Sequence, residues 1–198
     1  MVSLLTAFIL AGGKSTRMGS DKAFLAAGGR TLLERAIELA ANVAGEVRIV
    51  GPHGKCSSFG AVVADIFPGR GPLGGIHAAL TSSATDWNLV LGVDLPFIEK
   101  RFLIYLVKEA QNSQAVVTVP RTGGYFQPLC SVYRKQFASA AERALVEGRN
   151  KVDRLFQSVP LRVIDDAELA RTGYSHLMFR NLNTPEDWEE ARRELATA

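Results

Sequence analysis

Apolar residues along the chain fall into two alternating kinds of run. The short continuous runs Leu4–Leu10, Glu46–Val50, Ala61–Ala64, Asn88–Val93, Ala115–Val119 and Leu161–Asp165 read as strands. Several are unbroken in Val, Ile and Leu and do not alternate with polar residues, the mark of strands covered on both faces, as in parallel sheets. Between them lie longer stretches with helical spacing. Thr31–Val43 places Leu32, Leu33, Ala36, Ile37, Leu39 and Ala40 on one stripe, and Arg101–Ala110 repeats Phe102, Tyr105 and Leu106 at helical intervals. Lys135–Glu147 and Thr184–Leu195 complete the predicted helices. The last opens on Thr184-Pro185-Glu186-Asp187, which supplies an N-cap, a proline at the first helical position and an acidic first turn. Strand–helix alternation predicts an open α/β fold with a mostly parallel sheet. Arg121–Leu129, with Gly123 and Gly124 between apolar runs, reads as a hairpin laid over one sheet edge.

Composition narrows the function classes. At 198 residues the chain has the size of one domain, and its 47% hydrophobic and 22% charged content is that of an ordinary globular protein. Its 23 Lys and Arg against 20 Asp and Glu leave a net charge of +3, too little for a polybasic nucleic-acid binder. Cys56 and Cys130 lie far apart with no C-x-x-C, which argues against a zinc ribbon or a thioredoxin-type site and for a reduced, cytoplasmic protein. The apolar run Leu4–Leu10 has no positive residue before it and is far short of the ~20 residues that cross a bilayer, so no membrane segment is expected.

In open α/β sheets ligands bind outside the carboxyl ends of the strands, so the loops after strands hold the candidate chemistry. The first is the richest: Ala11-Gly12-Gly13-Lys14-Ser15-Thr16-Arg17-Met18-Gly19-Ser20-Asp21-Lys22. Its glycines let backbone N–H groups approach a ligand, and Lys14, Arg17 and Lys22 add positive charge, a composition suited to a polyphosphate. It is not a Walker loop, because Phe8 occupies the position of the first glycine, and it is not G-x-G-x-x-G, because Lys14 replaces the second. The bland alternative is a basic surface loop.

Three later stretches also end or follow strands. Asp65 precedes Gly71-Pro72-Leu73-Gly74-Gly75-Ile76, a loop that opens a helix at about Leu73 and could lay a flat base against backbone. Asp94 ends the apolar run Asn88–Val93, where a single carboxylate is a natural Mg²⁺ ligand, or else a turn aspartate. Asn181-Leu182-Asn183-Thr184-Pro185 precedes the last helix, and capping is at least one of its jobs. His53, His77 and His176 have no ligand spacing and read as surface or packing residues. Arg143, Arg149, Lys151 and Arg154 form a loose basic group that is either a solvated face or a platform for an anionic acceptor.

Leu10-Ala11-Gly12-Gly13-Lys14-Ser15-Thr16-Arg17-Met18-Gly19 followed by Asp21-Lys22 resembles the signature of the nucleotidyltransferase family that includes molybdenum cofactor guanylyltransferase. Gly71–Ile76, Gln127-Pro128-Leu129 and the N-x-N-T-P string at Asn181–Pro185 are similar to further motifs of that family, in the same order, so that the resemblance runs from Leu10 to Asp187. It implies a three-layer αβα sandwich with a Rossmann-like nucleotidyltransferase fold, one domain over residues 1–198. The implied reaction is transfer of GMP from GTP to molybdenum-bound molybdopterin, with Mg²⁺. The implied nucleotide-binding residues are Leu10, Ala11, Gly12, Gly13, Lys22, Asp65, Gly71, Gly74, Asp94, Asn181 and Asn183. Arg17, Lys22 and Asp94 carry catalysis in this reading, and Asp94 with Asn183 holds the metal. Expected partners are the two small substrates and, transiently, proteins that supply molybdopterin or chaperone molybdoenzymes. Nucleic acid is not expected, nor anything beyond a monomer or weak oligomer. A relative with another base or acceptor, such as a cytidylyltransferase of the same cofactor, remains the nearer alternative, and a non-catalytic nucleotide-binding protein the farther one. The family's asparagine near the second strand is missing from Val50-Gly51-Pro52-His53-Gly54.

Overall fold

The computed structural model describes residues 5–12 and 21–197. Strand β1 (Leu5–Leu10) lies between β4 (Glu46–Val50) and β6 (Trp87–Gly92), parallel to both, with Ile9 opposite Ile49 on one side and Leu91 on the other. All six β1 residues are buried, because helices cover both faces of the sheet. Leu5, Ala7 and Ile9 face one core with Leu33, Ala36, Phe102 and Leu106. Phe8 and Leu10 face the other with Leu73, Ile76, Phe137 and Phe156. The unbroken apolar runs therefore mean what their pattern predicts: a central sheet between two helical layers.

The first layer holds α1 (Leu32–Ala41) and α4 (Lys100–Gln111); the second holds α3 (Pro72–Ser82) and α5 (Phe137–Val146). Helix α1 starts where it does because Thr31 and Glu34 form a capping box. The Thr31 hydroxyl accepts the Glu34 N–H at 3.1 Å, and the Glu34 carboxylate accepts the Thr31 N–H at 2.7 Å. The two short strands β2 (Ala26–Ala27) and β3 (Arg30–Thr31) pair before it. Helix α8 (Pro185–Thr197) sets Trp188, Ala191 and Leu195 against Ala27, Leu32 and Leu182, a third small core.

Beyond β4 the sheet ends in β5 (Val62–Val63). On the other side of β6 come β9 (Cys130–Arg134), β7 (Val117–Thr122) and β10 (Leu161–Ile164), in that order. Of these, β9 is antiparallel to both neighbours, and β10 is parallel to β7. All six predicted strands occur, with ends moved by at most three residues; Leu4 lies outside the described residues. The hairpin is real, pairing Thr122 with Tyr125 of β8 (Tyr125–Phe126) through Gly123 and Gly124, whose φ values of 55° and 85° suit glycine. It does not lie over an edge as predicted. Strand β10 takes the outer place beside β7, so the hairpin projects from the end of an interior strand.

Three short helices escape the periodicity: α2 (His53–Cys56), α6 (Val152–Phe156) and α7 (Asp166–Arg171). Each has under two turns and cannot display an apolar stripe. The chain winds from β1 through α1 to β4 and β5. It then crosses back through α3 to β6, on the other side of β1. The reversal of direction falls at the carboxyl ends of β1, β4 and β6, the place where such sheets bind ligands.

Candidate active site

A cleft of about 720 Å³ opens at that reversal. Its floor is the three strand ends: Leu10, Ala11 and Gly12 after β1, Val50 and Gly51 after β4, Val93 and Asp94 after β6. Backbone bonds lock these ends together, from Ala11 N–H to the Val50 carbonyl at 3.0 Å and from Gly92 N–H to the Leu129 carbonyl at 2.8 Å. Asp21, Lys22 and Ala23 form one wall, and Asp65, Gly69, Gly71, Pro72 and Gly75 another.

Small residues keep the cleft open. A Cβ on Gly75 would come within 2.9 Å of Leu10 Cδ2, so a larger residue there would force the Leu10 side chain to shift. A Cβ on Gly92 would stand 2.6 Å from the Asp94 carboxylate and would push it from its place. Gly74 is buried against Asp65, whose carboxylate oxygens would lie 3.2 and 3.3 Å from an added Cβ. Gly71, at φ 66°, turns the chain into α3, and Asp65 braces the same turn by accepting the Phe67 N–H at 2.9 Å. Asp65 thus lies against Gly74, and Asp65 and Gly71 both line the cleft.

Asp94 is partly buried, and burial pushes its carboxyl above the ordinary aspartate value; the nearby Lys22 charge opposes this only in part. Lys22 donates to the carbonyl of Leu182, and Leu182 N–H donates to the carbonyl of Asp94 at 3.1 Å. The C-terminal segment is therefore tied into the cleft through its backbone. Asn181 and Asn183 flank the buried Leu182 and are both exposed beside it; they are not among the residues of the cleft wall. The Thr184-Pro185-Glu186-Asp187 string does cap α8: Thr184 Oγ1 accepts the Asp187 N–H at 3.1 Å, and the Asp187 carboxylate accepts the Thr184 N–H at 2.8 Å. Gly13, Lys14 and Arg17 lie outside the described residues.

Several lining residues have no sequence signal of their own. Gly51 and Val50 are recognisable only as the end of a strand, and Leu129 enters from just before β9, whose neighbour is fixed by the sheet order. Asp21 lies within the first loop but reveals its partner, Lys55 Nζ at 3.1 Å, only in three dimensions. His77 is buried on α3, edge-on to Phe67 at 5.1 Å, a packing residue as expected. A second hollow of about 350 Å³ between Gly123 and α7 presents Asp166, which already accepts the Gly123 N–H at 3.0 Å.

A doubly wound sheet with a glycine-lined cleft at its reversal, lined by the partly buried carboxylates Asp21, Asp65 and Asp94 and by Lys22, defines a nucleotide-binding α/β protein built for nucleotidyl transfer. The chain belongs to the MobA-like NTP transferase family, whose model matches residues 7–163. It is 36% identical over 190 residues to the "Probable molybdenum cofactor guanylyltransferase" of Pelotomaculum thermopropionicum, covering 94% of this chain and 91% of that one. It is 32% identical over 191 residues to the molybdenum cofactor guanylyltransferase of Syntrophotalea carbinolica, covering 96% and 91%. Its fold is that of the molybdopterin-guanine dinucleotide biosynthesis protein A of Archaeoglobus fulgidus, with a TM-score of 0.85 at 24% identity over 98% of this chain and 100% of that one. A CMP:2-keto-3-deoxy-manno-octonic acid synthetase solved with CTP shares the fold at a TM-score of 0.76 and 14% identity, over 98% of each chain. No helix of the described residues is long and apolar enough to cross a membrane.

Proposed function

We propose that this nucleotidyltransferase moves GMP from GTP to the terminal phosphate of molybdenum-bound molybdopterin, forming the guanine dinucleotide cofactor and pyrophosphate. The observation that carries the reading is the convergence of Gly12, Lys22, Asp65 and Asp94 on one cleft, in a chain whose relatives bear that enzyme's name. The acceptor phosphate oxygen attacks the α-phosphorus, a new P–O–P bond forms, and the bond to the β-phosphate breaks with release of pyrophosphate. The attacking oxygen is already anionic, so no strong base is needed. Catalysis is then positioning and charge neutralisation.

The backbone after β1 and the Lys22 ammonium bind the triphosphate, with Gly13 and Arg17 assigned to the same task on the family resemblance. Asp65 and the turn from Gly71 to Gly75 face the nucleoside, where backbone groups can read the edge of a base. Asp94 suits Mg²⁺. It is a partly buried carboxylate at the cleft whose charge Lys22 answers only in part. Mg²⁺ takes few protein oxygens and leaves the rest of its shell to phosphate and water. When bound, the ion would neutralise charge on the reacting phosphates, with Asp94 and Asn183 holding it. Asn181 faces the acceptor. The reading includes one domain across residues 1–198, a cytoplasmic site of action, a monomer or weak oligomer, and transient contact with proteins that supply or receive the cofactor.

Thermal shifts with GTP, CTP, ATP and UTP, each with Mg²⁺, test the base. Binding stabilises by mass action, about 2.7 kcal/mol at a hundredfold excess over Kd. GTP alone should raise the melting temperature clearly. An equal response to all four would overturn the guanine assignment and point to a relative with another base or acceptor.

A further inference from the structure

The segment Asn181-Leu182-Asn183 is held more tightly than a helix entry requires. The Leu182 side chain is fully buried with Ala27, Leu32 and Trp188. Its N–H is spent on the Asp94 carbonyl and its own carbonyl on Lys22. On the upstream side, Arg180 stacks over Phe97 at 4.2 Å and pairs with Glu194 at 2.7 Å. Downstream, one carboxylate does two things. Asp187 Oδ2 accepts the Thr184 N–H at 2.8 Å, the ordinary return bond of a capping box. The same oxygen also accepts the Asn183 N–H at 2.8 Å. The second bond adds nothing to the helix, because Asn183 lies outside it. What it fixes is the Leu182–Asn183 peptide, whose carbonyl accepts from Lys22, next to the Leu182 N–H that bonds the Asp94 carbonyl. These bonds also hold the Asp187 carboxyl below the ordinary aspartate value, with the Lys22 charge adding to the effect.

We propose that Asp187 is a positioning residue for the transfer reaction: its carboxylate sets the Asn181–Asn183 peptide against Asp94 and Lys22, beyond its part in capping α8. The inference rests on the functional reading above, in which Asn183 shares the metal with Asp94. Leu182 points into the core, so its neighbours Asn181 and Asn183 both turn outward. Both amides then depend on how firmly the backbone between them is held. Groups that orient a metal ligand typically change metal affinity about 10–100-fold when removed.

Three variants separate positioning from capping. Asp187→Ala removes both backbone bonds. Thr184→Ala removes the cap hydroxyl and leaves both Asp187 bonds in place. Asp187→Glu keeps a carboxylate of the type usual at this place in a capping box. The readout is the Mg²⁺ concentration that gives half of the GTP-dependent thermal shift, with the half-saturating Mg²⁺ for turnover beside it. Asp187→Ala should raise both by about tenfold, Asp187→Glu should restore them, and Thr184→Ala should lower the melting temperature without moving either. If Asp187→Ala lowers the melting temperature as Thr184→Ala does and leaves the Mg²⁺ midpoint at the wild-type value, the residue is a cap only and the inference falls. If the wild-type shift with GTP does not depend on Mg²⁺, the metal in the functional reading falls, and the inference with it. The wild-type titration alone distinguishes the two failures.

Discussion

Asp94 and Glu168 are both partly buried carboxylates, and their surroundings push them in opposite directions. Glu168, on α7, meets the Arg162 guanidinium of β10 and the Tyr105 hydroxyl of α4, and Arg162 also pairs with Glu109 at 2.6 Å. These hydrogen bonds, Arg162 first, hold the Glu168 carboxyl below its ordinary value, and burial together with the Glu168 carboxylate pushes the Tyr105 hydroxyl up to about 12. Asp94 sits at the cleft with its carboxyl raised by burial and with Lys22 compensating only in part. In the flank cluster every charge is answered by protein, and three elements are clipped together. At the cleft the protein leaves one carboxylate incompletely answered, which is where a cationic ligand gains most from binding.

The largest effect should come from Asp94. Asp94→Asn should cut turnover by about a hundred- to a thousandfold while leaving the melting temperature unchanged or slightly higher, since it removes a charge whose burial is unfavourable. Wild-type turnover in that variant would break the comparison. Arg162→Ala should do the reverse. It strands Glu109 and Glu168, and with the Arg162 side chain still a quarter exposed, solvent screening limits the loss to about 2 kcal/mol. That corresponds to a fall of roughly 4–8 °C in melting temperature for a domain of this size. Steady-state rates at 20 °C should stay within about twofold of wild type. A large rate loss at intact stability would show that the flank is coupled to the cleft.

The smallest effect is in pH. Glu168 binds its proton less readily folded than unfolded, so its contribution to stability is present above the ordinary value of 4.5 and is lost as pH falls through the lower folded value. Asp94 is opposite: its folded value lies above the ordinary 3.8, so its ionisation costs stability as pH rises through that value. The Asp94 carboxylate should therefore take up its proton at a higher pH than the flank cluster. On acidification, activity should fall before circular dichroism reports unfolding. Coincident transitions would contradict the assignment of opposite shifts.

Much of this was legible in the chain. The sixfold run of short apolar segments marked the strands because burial on both faces needs no polar alternation. Thr184-Pro185-Glu186-Asp187 marked a helix start because capping acts over three residues, whereas the capping box of Thr31 and Glu34 came to light only in the structure. Asp65 and Asp94 were visible as acids ending apolar runs. By contrast, the run after Leu129 gives no hint that β9 points against its neighbours, and Gln127-Pro128-Leu129 pointed to the site only through the family resemblance, not through any physical pattern of its own. The hairpin was read correctly as a turn and wrongly as an edge feature, since Gly123 and Gly124 set the local turn while the place of β10 is a matter of sheet order.

The sequence by itself determined what depends on neighbours a few residues away: which of the longer segments are strands or helices, where the last helix begins, and which loops are rich in glycine and charge. Only the tertiary structure decided the order of strands, the reversal at β1, and the meeting of Lys22 with Leu182, 160 positions later. It also decided that Asp94 is buried enough for its carboxyl to be raised while Glu168 is paired enough to be lowered. The physical reason is range. Propensity and capping act within a turn of chain, whereas burial, sheet order and charge pairing are settled by packing between segments that are distant along it.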